Sequence, residues 1–215
     1  MAATVVVTVE VAFDGSTFID ISQYVQRAAV RYGRKKLLDE NFAGASQVTV
    51  DNRTNWITPG HADSTYGNTQ LINREIRIRS AVTGGTDSYS TYLWRGFITD
   101  LDYTAGQNTS TVVISSVDGF DKLAKTSILN QTFAEEYTGV RVAAILDLSS
   151  VDYPDEANPD DRDIDLGFTK AIAASGVNAT ALDYLQKLTR TESGKFLVNH
   201  AGTPSATNKG GILQF

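Results

Sequence analysis

The sequence predicts an α+β chain, with an antiparallel β domain over residues 1–117 and a small α/β unit over 118–215. Three observations predict it. Residues up to about 117 fall into alternating or aromatic-rich segments separated by Gly, Asn and Asp clusters, with no helical period between them. After Asp118-Gly119 the apolar spacing becomes that of helices. The length of 215 residues, 41% of them hydrophobic and 20% charged, suffices to bury one generous core or two small ones.

Thr4 to Val11 alternates loosely, Asp14-Gly15 forms a turn, and Phe18 to Tyr24 and Ala28 to Tyr32 follow as short extended segments. Ser46 to Asp51 alternates polar and apolar residues. Asn73 to Ser80 places Ile76 and Ile78 on one face and Arg77 and Arg79 on the other, the pattern of a half-buried antiparallel strand. Gly84-Gly85-Thr86-Asp87 separates this strand from Tyr89 to Tyr103, and Ala105-Gly106-Gln107-Asn108 leads into Thr109 to Val117, which completes a three-strand meander. Strands at this spacing point to a closed or sandwich-like β domain. The exception is the long loop from Asn52 to Leu71. Because it carries Trp56 and Tyr66, it is expected to pack against a neighbour, the alternative being that it folds back over its own domain.

In the second part, Phe120 to Lys125 reads as a helical turn. Thr138 is placed to cap a helix over Val140 to Leu148, with Val142, Ile145, Leu146 and Leu148 on its apolar side. Asn178 is placed to cap a second helix in which Ala181, Leu182, Leu185 and Leu188 recur at helical spacing, ending before Gly194. Lys195 to Asn199 and Gly211 to Phe215 read as strands.

Composition excludes several function classes. With no cysteine there is no disulfide framework, thiol nucleophile or thiolate metal site. The two histidines, His61 and His200, lie far apart, and neither a Gly-x-Ser-x-Gly elbow nor a His-Glu-x-x-His helix is present, so no hydrolase triad or metal pair is expected. Gly194-Lys195 lacks the rest of a phosphate loop. The N-terminus lacks a basic start, and no apolar run approaches the roughly 18 residues of a membrane span. Accordingly, neither a secretory leader nor a transmembrane helix is expected, and the four Asn-x-Ser/Thr sequons are read as chance matches.

Net charge is -6, and the stretch Asp147 to Asp165 alone carries -7, which leaves the remainder nearly neutral. No basic stripe for nucleic acid follows from that balance. The acidic run from Asp152 to Asp165 fails the spacing of a calcium-binding EF-hand loop and is read as a solvated loop. No cofactor or metal is expected. Acids are plentiful, but nothing pairs two of them across a cleft as a glycosidase requires, so no enzyme activity is expected.

Several short motifs recur in a definite order. Gly33-Arg34-Lys35 precedes Asp51-Asn52-Arg53. These are followed by Gly96-Phe97-Ile98, Asp118-Gly119-Phe120, Arg162-x-Ile164-Asp165-x-Gly167, Ala181-Leu182-Asp183-Tyr184-Leu185 and Glu192-Ser193-Gly194-Lys195-Phe196. In this order the chain resembles the tail hub proteins of tailed bacteriophages, including those called minor tail proteins. The resemblance implies a tail-tube-like β-barrel followed by an α/β domain, acting as a structural virion component of the tail tip that is made in the host cytoplasm. It implies a ring around the DNA channel that ends the tail tube. Expected partners are further copies of the chain, a distal tail or tail tube protein, the tape measure protein, and tail fibre or spike proteins, with no specific nucleic-acid or membrane binding. Such hubs continue into a second barrel, which makes a homotrimer the expected assembly, with a six-copy ring if these residues act alone. Arg34, Lys35, Asp51, Arg53, Trp56, Tyr66, Arg162 and Asp165 are the candidate interface residues, with Arg34 and Arg53 expected in salt bridges with Asp39 or Asp51.

A carbohydrate-binding β module recognising a host surface is the rival reading, since Trp56, Trp94, Tyr89, Tyr92 and Phe97 are residues that stack on sugars. By strict alternation Tyr92 and Trp94 share one strand face, with Tyr89, Leu93 and Phe97 on the other.

Overall fold

The computed structural model describes residues 4–32, 43–67, 69–83, 89–106, 110–151, 153, 163–192, 195–198 and 204–207. The chain divides into two compact units, Met1–Asp118 and Gly119–Phe215, each with its own hydrophobic core.

The first unit is one seven-stranded antiparallel sheet built from β1 (Thr4–Val11), β2 (Ile19–Asp20), β3 (Val25–Arg31), β4 (Ala45–Asp51), β5 (Glu75–Thr83), β6 (Tyr89–Ala105) and β7 (Ser110–Val117). Their order across the sheet is β2-β1-β5-β6-β7-β4-β3. The segment from Phe18 to Tyr24, expected to be extended, yields only the two residues of β2 and then a 3-10 turn at Ser22–Tyr24. That turn carries the chain from one edge of the sheet to the other. The sheet is therefore curled, and the Tyr32 hydroxyl, just past edge strand β3, donates to the Leu93 carbonyl of β6 at 2.6 Å. Among the described residues the ladder is not closed, because β2 and β3 do not pair.

Alternation fills the concave side. Ile76 and Ile78 of β5, Val48 and Val50 of β4, and Val112 and Ile114 of β7 are all buried, together with Trp94 and Ile98 of β6. On the other face Arg77 pairs with Glu10 at 2.6 Å and lies over the Phe18 ring, and Arg95 pairs with Glu75. A β-bulge where Leu93 is the extra residue breaks the two-residue period, since Ile78 opposes Trp94 whereas Arg79 opposes Tyr92. Tyr92 thus joins Arg77 and Arg79 on the outer face, opposite Trp94, and the expectation that the two share a face is corrected.

Among its described residues the second unit contains α1 (Gly119–Lys125), α2 (Thr138–Leu146) and α3 (Ala181–Thr191), one more helix than the two on which the sequence built it. Short strands accompany them: β8 (Ser127–Phe133), β9 (Glu136–Tyr137), β10 (Asp163–Ile164), β11 (Lys170–Ala171), β12 (Ala174–Thr180), β13 (Lys195–Val198) and β14 (Pro204–Thr207). Strand β8 pairs with β12 and β9 with β11, while β10, β14 and β13 form a three-stranded sheet. Of the expected apolar stripes, Val142, Ile145 and Leu146 on α2 and Ala181, Leu185 and Leu188 on α3 are buried, whereas Leu182 is half-buried and Leu148, also half-buried, lies past the end of α2.

Both expected caps are corrected. The residue capping α3 is Thr180, whose hydroxyl accepts from the Asp183 amide at 3.1 Å. Asn178 lies in β12, where its side-chain carbonyl accepts from the Asn130 amide. Thr138 is the first residue of α2 rather than its cap, and its hydroxyl bonds to Glu192 instead. No helix among the described residues is long and apolar enough to cross a membrane.

Candidate assembly surface

Asp51 closes β4, and its carboxylate meets its neighbour Arg53 at 2.5 Å, with Arg53 Nε bonding both carboxylate oxygens. Hydrogen bonds from the Arg53 side chain and amide hold the Asp51 pKa below its ordinary value. The pair is local and Arg53 is largely exposed, so it contributes little to stability. Arg34, Lys35, Asp39, Arg162 and most of the acidic run lie outside the described residues. Asp165 is half-buried, its backbone carbonyl packed against Gly139.

The 52–71 loop folds onto its own unit. Trp56 stacks on Tyr24 with ring centroids 4.4 Å apart, Tyr66 stacks on Phe13 at 3.8 Å, and the Trp56 indole donates to the Asp51 carbonyl at 2.7 Å. Buried Asn52 anchors the loop from within, donating to the Thr58 hydroxyl at 2.7 Å. Trp56 is in the core of its own unit, so the tryptophan packs as in the alternative in which the loop folds back over its own domain. Trp94 is equally buried, its indole donating to the Ser116 hydroxyl at 2.9 Å. Neither tryptophan presents a face to a sugar.

Asp118-Gly119-Phe120 has a structural basis in each residue. The Asp118 carboxylate accepts from the Gly44 amide at 2.6 Å, a side chain at Gly119 would collide with the Tyr153 hydroxyl, and Phe120 enters the second core.

The surfaces that remain unpartnered are elsewhere. Strand β2 covers only Glu10 and Val11 of β1, leaving Val5 to Val7 bordered by β5 alone among the strands of the described residues. The Val9 amide and carbonyl point away from β5, to Ser22 and Ile21. By antiparallel alternation, the amides and carbonyls of Val5 and Val7 point the same way, off the open edge. Val5, Val6 and Val7 are exposed at 63%, 42% and 48%, so both faces of this ribbon are apolar and uncovered.

In the second unit the segment from Leu166 to Ile172 exposes Phe168 and Ile172 at 78% and 79%, yet its backbone is held by a clasp. The Glu192 carboxylate, at the end of α3, accepts from the amides of Phe168 (3.2 Å) and Thr169 (2.8 Å) and from the hydroxyls of Thr169 (2.6 Å) and Thr138 (2.7 Å). Burial opposes its ionisation, but these donors prevail and set its pKa at about 2. Gly167 at φ 86° turns the chain where any side chain would strike the Thr138 hydroxyl.

No protein-family model and no curated protein matches the chain. Solved structures do. A tail protein from Neisseria meningitidis MC58 superposes with a TM-score of 0.56 at 10% identity, over 94% of this chain and 50% of its own. The 43 kDa tail protein of prophage MuSo2 from Shewanella oneidensis gives 0.56 at 12% identity, over 94% of this chain and 53% of its own. The fold is that of phage tail proteins. This chain spans about half the length of those two proteins. A chain of the lidded Francisella PdpA-VgrG complex gives 0.52 at 11% identity, over 95% of this chain and 28% of its own.

The exposed valines of β1 and the 166–172 segment were missed as candidate surfaces. The run Val5-Val6-Val7 is visible in the sequence, but an apolar run in a strand reads as core. Only the register with β2 shows that Val5 to Val7 have no second strand neighbour among the described residues.

Proposed function

We propose that this chain is a structural subunit of a phage tail, a hub at the tail tip that assembles with copies of itself into a ring and carries out no catalysis. The observation that carries this reading, beyond the fold, is the edge of β1 at Val5 to Val7, which pairs with no second strand among the described residues. A row of backbone donors and acceptors flanked by exposed valines is a template for another strand, and in a monomer it is an aggregation hazard. The side of β3 that has no partner strand among the described residues, at the other edge of the same sheet, is the complementary surface. Pairing β1 of one copy with β3 of the next continues the sheet across subunits in a head-to-tail contact, which closes into a ring when the rotation permits. Three or six copies are the closed forms that suit a tail axis. The resemblance seen in the sequence adds a distal tail or tube protein, the tape measure protein and fibre or spike proteins as neighbours of such a ring.

Two proline substitutions test the edge. At Val7 proline removes an outward-facing amide and leaves the β1–β5 ladder intact, whereas at Thr8 it removes an amide directed to β5. Val7→Pro is expected to keep the circular dichroism of the wild type and to reduce its solution mass to that of one chain, while Thr8→Pro damages the fold. A wild-type mass retained by Val7→Pro would remove β1 from the assembly.

A further inference from the structure

We infer the register of the contact that closes the ring: Val5, Val6 and Val7 of one copy lie antiparallel against Val30, Ala29 and Ala28 of the next. This register rests on the strand pairing proposed above and gives it a specific geometry. Direction comes first. From β1 through β5, β6, β7 and β4 to β3 every neighbour is antiparallel, so β1 and β3 of one chain run in opposite senses. Rotation about an axis along the strands preserves those senses, and β1 meets the β3 of another copy antiparallel.

Phase is fixed on both strands by the bonds they already make. On β1 the Val9 amide donates to the Ser22 hydroxyl at 2.9 Å and the Val9 carbonyl accepts from the Ile21 amide at 2.8 Å. The groups of Val5 and Val7, an even number of residues back along an unbulged strand, point off the same edge. On the β4 side the Asn52 amide donates to the Ser110 carbonyl and the Gly44 carbonyl accepts from the Asp118 amide, so even-numbered residues of β4 bond β7 and odd-numbered ones bond β3. Arg27, Ala29 and Arg31 therefore exchange bonds with Thr49, Gln47 and Ala45, which directs the amides and carbonyls of Ala28 and Val30 off the sheet. Among the described residues those groups meet no further strand.

Setting Val5 opposite Val30 and Val7 opposite Ala28 lets each pair exchange both of its bonds, and the side chains agree with it. Val5 and Val7 share the face of buried Val9, while Ala28 and Val30 share the face of their partners Val48 and Ser46, both buried. The concave surface thus continues across the boundary through apolar pairs. On the outer face exposed Val6 meets exposed Ala29. Both strands also stop at the same place, because past Thr8 and Arg27 the Val9 groups are already taken and β3 carries a bulge at Gln26. A slip of one residue sets free groups against bonded ones, and a slip of two puts Val6 against Arg27 or Arg31.

The chain has no cysteine, so single cysteines report the register without background. Val6 and Ala29 form a non-hydrogen-bonded pair, whose Cα atoms lie about 4.5 Å apart, within the span of a disulfide. Val6→Cys and Ala29→Cys chains, mixed, left to exchange subunits and then oxidised, are expected to give a covalent dimer containing one chain of each as the main product. Arg27→Cys or Arg31→Cys in place of Ala29→Cys should give little of it. In the unsubstituted protein the amides of Ala28 and Val30 should exchange more slowly in the assembly than in Val7→Pro. A wild type that assembles while Val6→Cys prefers Arg27→Cys or Arg31→Cys, or joins none of the three, would overturn the register and leave the ring standing, as would equal exchange rates at Ala28 and Val30. A wild type that sediments as one chain at every concentration would overturn both.

Discussion

Arg141 is the buried cation on which the second unit turns, and replacing it by Met isolates its polar contribution. The side chain is 2% exposed and lies 5.4 Å from the Phe133 ring, which Met can still cover. Its Nε donates to Glu136 at 3.1 Å, and one terminal nitrogen donates to the carbonyls of Ala134 and Ala171, the latter at 3.2 Å. One group therefore joins the ends of β8, β9 and β11 to α2. Three hydrogen bonds to a charge, at about 1.5–3 kcal/mol each, set a gross value of roughly 4–9 kcal/mol. Against this stands the recovered cost of burying the guanidinium, several kcal/mol. Glu136 is also 22% exposed and can rehydrate, so the net loss is placed at about 3 kcal/mol, the low end for breaking a buried pair. All three α-helices among the described residues belong to this unit, so ellipticity at the helix band follows its unfolding in urea. Trp56 and Trp94 both lie in the first unit, and their fluorescence reports on that unit separately. With a slope of about 2 kcal/mol per molar urea, the helix-band midpoint should fall by roughly 1.5 M. A change equivalent to less than about 1 kcal/mol would refute the assignment of Arg141 as the organising contact.

Other perturbations follow from the same geometry. Val113→Pro, in a strand paired on both sides with β4 and β6, is expected to cost about 3 kcal/mol or more, or to prevent folding of the first unit, as read by tryptophan fluorescence. Gly167→Ala forces a side chain at φ 86° against the Thr138 hydroxyl and should cost about 1–3 kcal/mol, measured by thermal melting. Glu192 has a folded pKa near 2, below its ordinary 4.5, so the native state favours the ionised form. Its stabilisation is complete above about pH 5 and is lost as pH falls from there through 2. Faster amide exchange at Phe168 and Thr169 in acid, absent from the pH profile of Glu192→Gln, is the expected signature.

Legibility in the sequence tracked the persistence of a local period. Strand β5 announced itself because Ile76 and Ile78 alternate with Arg77 and Arg79, and α3 because Ala181, Leu185 and Leu188 keep helical spacing. Strands β8 and β12 were invisible. In β8 only Ile128 and Phe133 are buried, five residues apart, and Asn130 at φ 52° interrupts the alternation. In β12 two register shifts and Gly176 do the same. Tyr92 was assigned to the wrong face because a bulge adds a residue that no two-residue pattern encodes. Trp56 and Tyr66 were given to a neighbour because their cage, Phe13 and Tyr24, comes from a distant part of the chain. The caps failed for a related reason, since Thr138 and Asn178 have cap chemistry but spend it on Glu192 and Asn130.

In the proposed assembly the edges of the curled sheet pair from copy to copy and close a ring. Electron microscopy of the purified wild-type protein tests that most directly, with Val7→Pro imaged beside it. Closed rings of three or six copies around a central channel are expected for the wild type and single chains for the variant. Wild-type particles that show no ring at any concentration, or rings that persist unchanged in Val7→Pro, would contradict it.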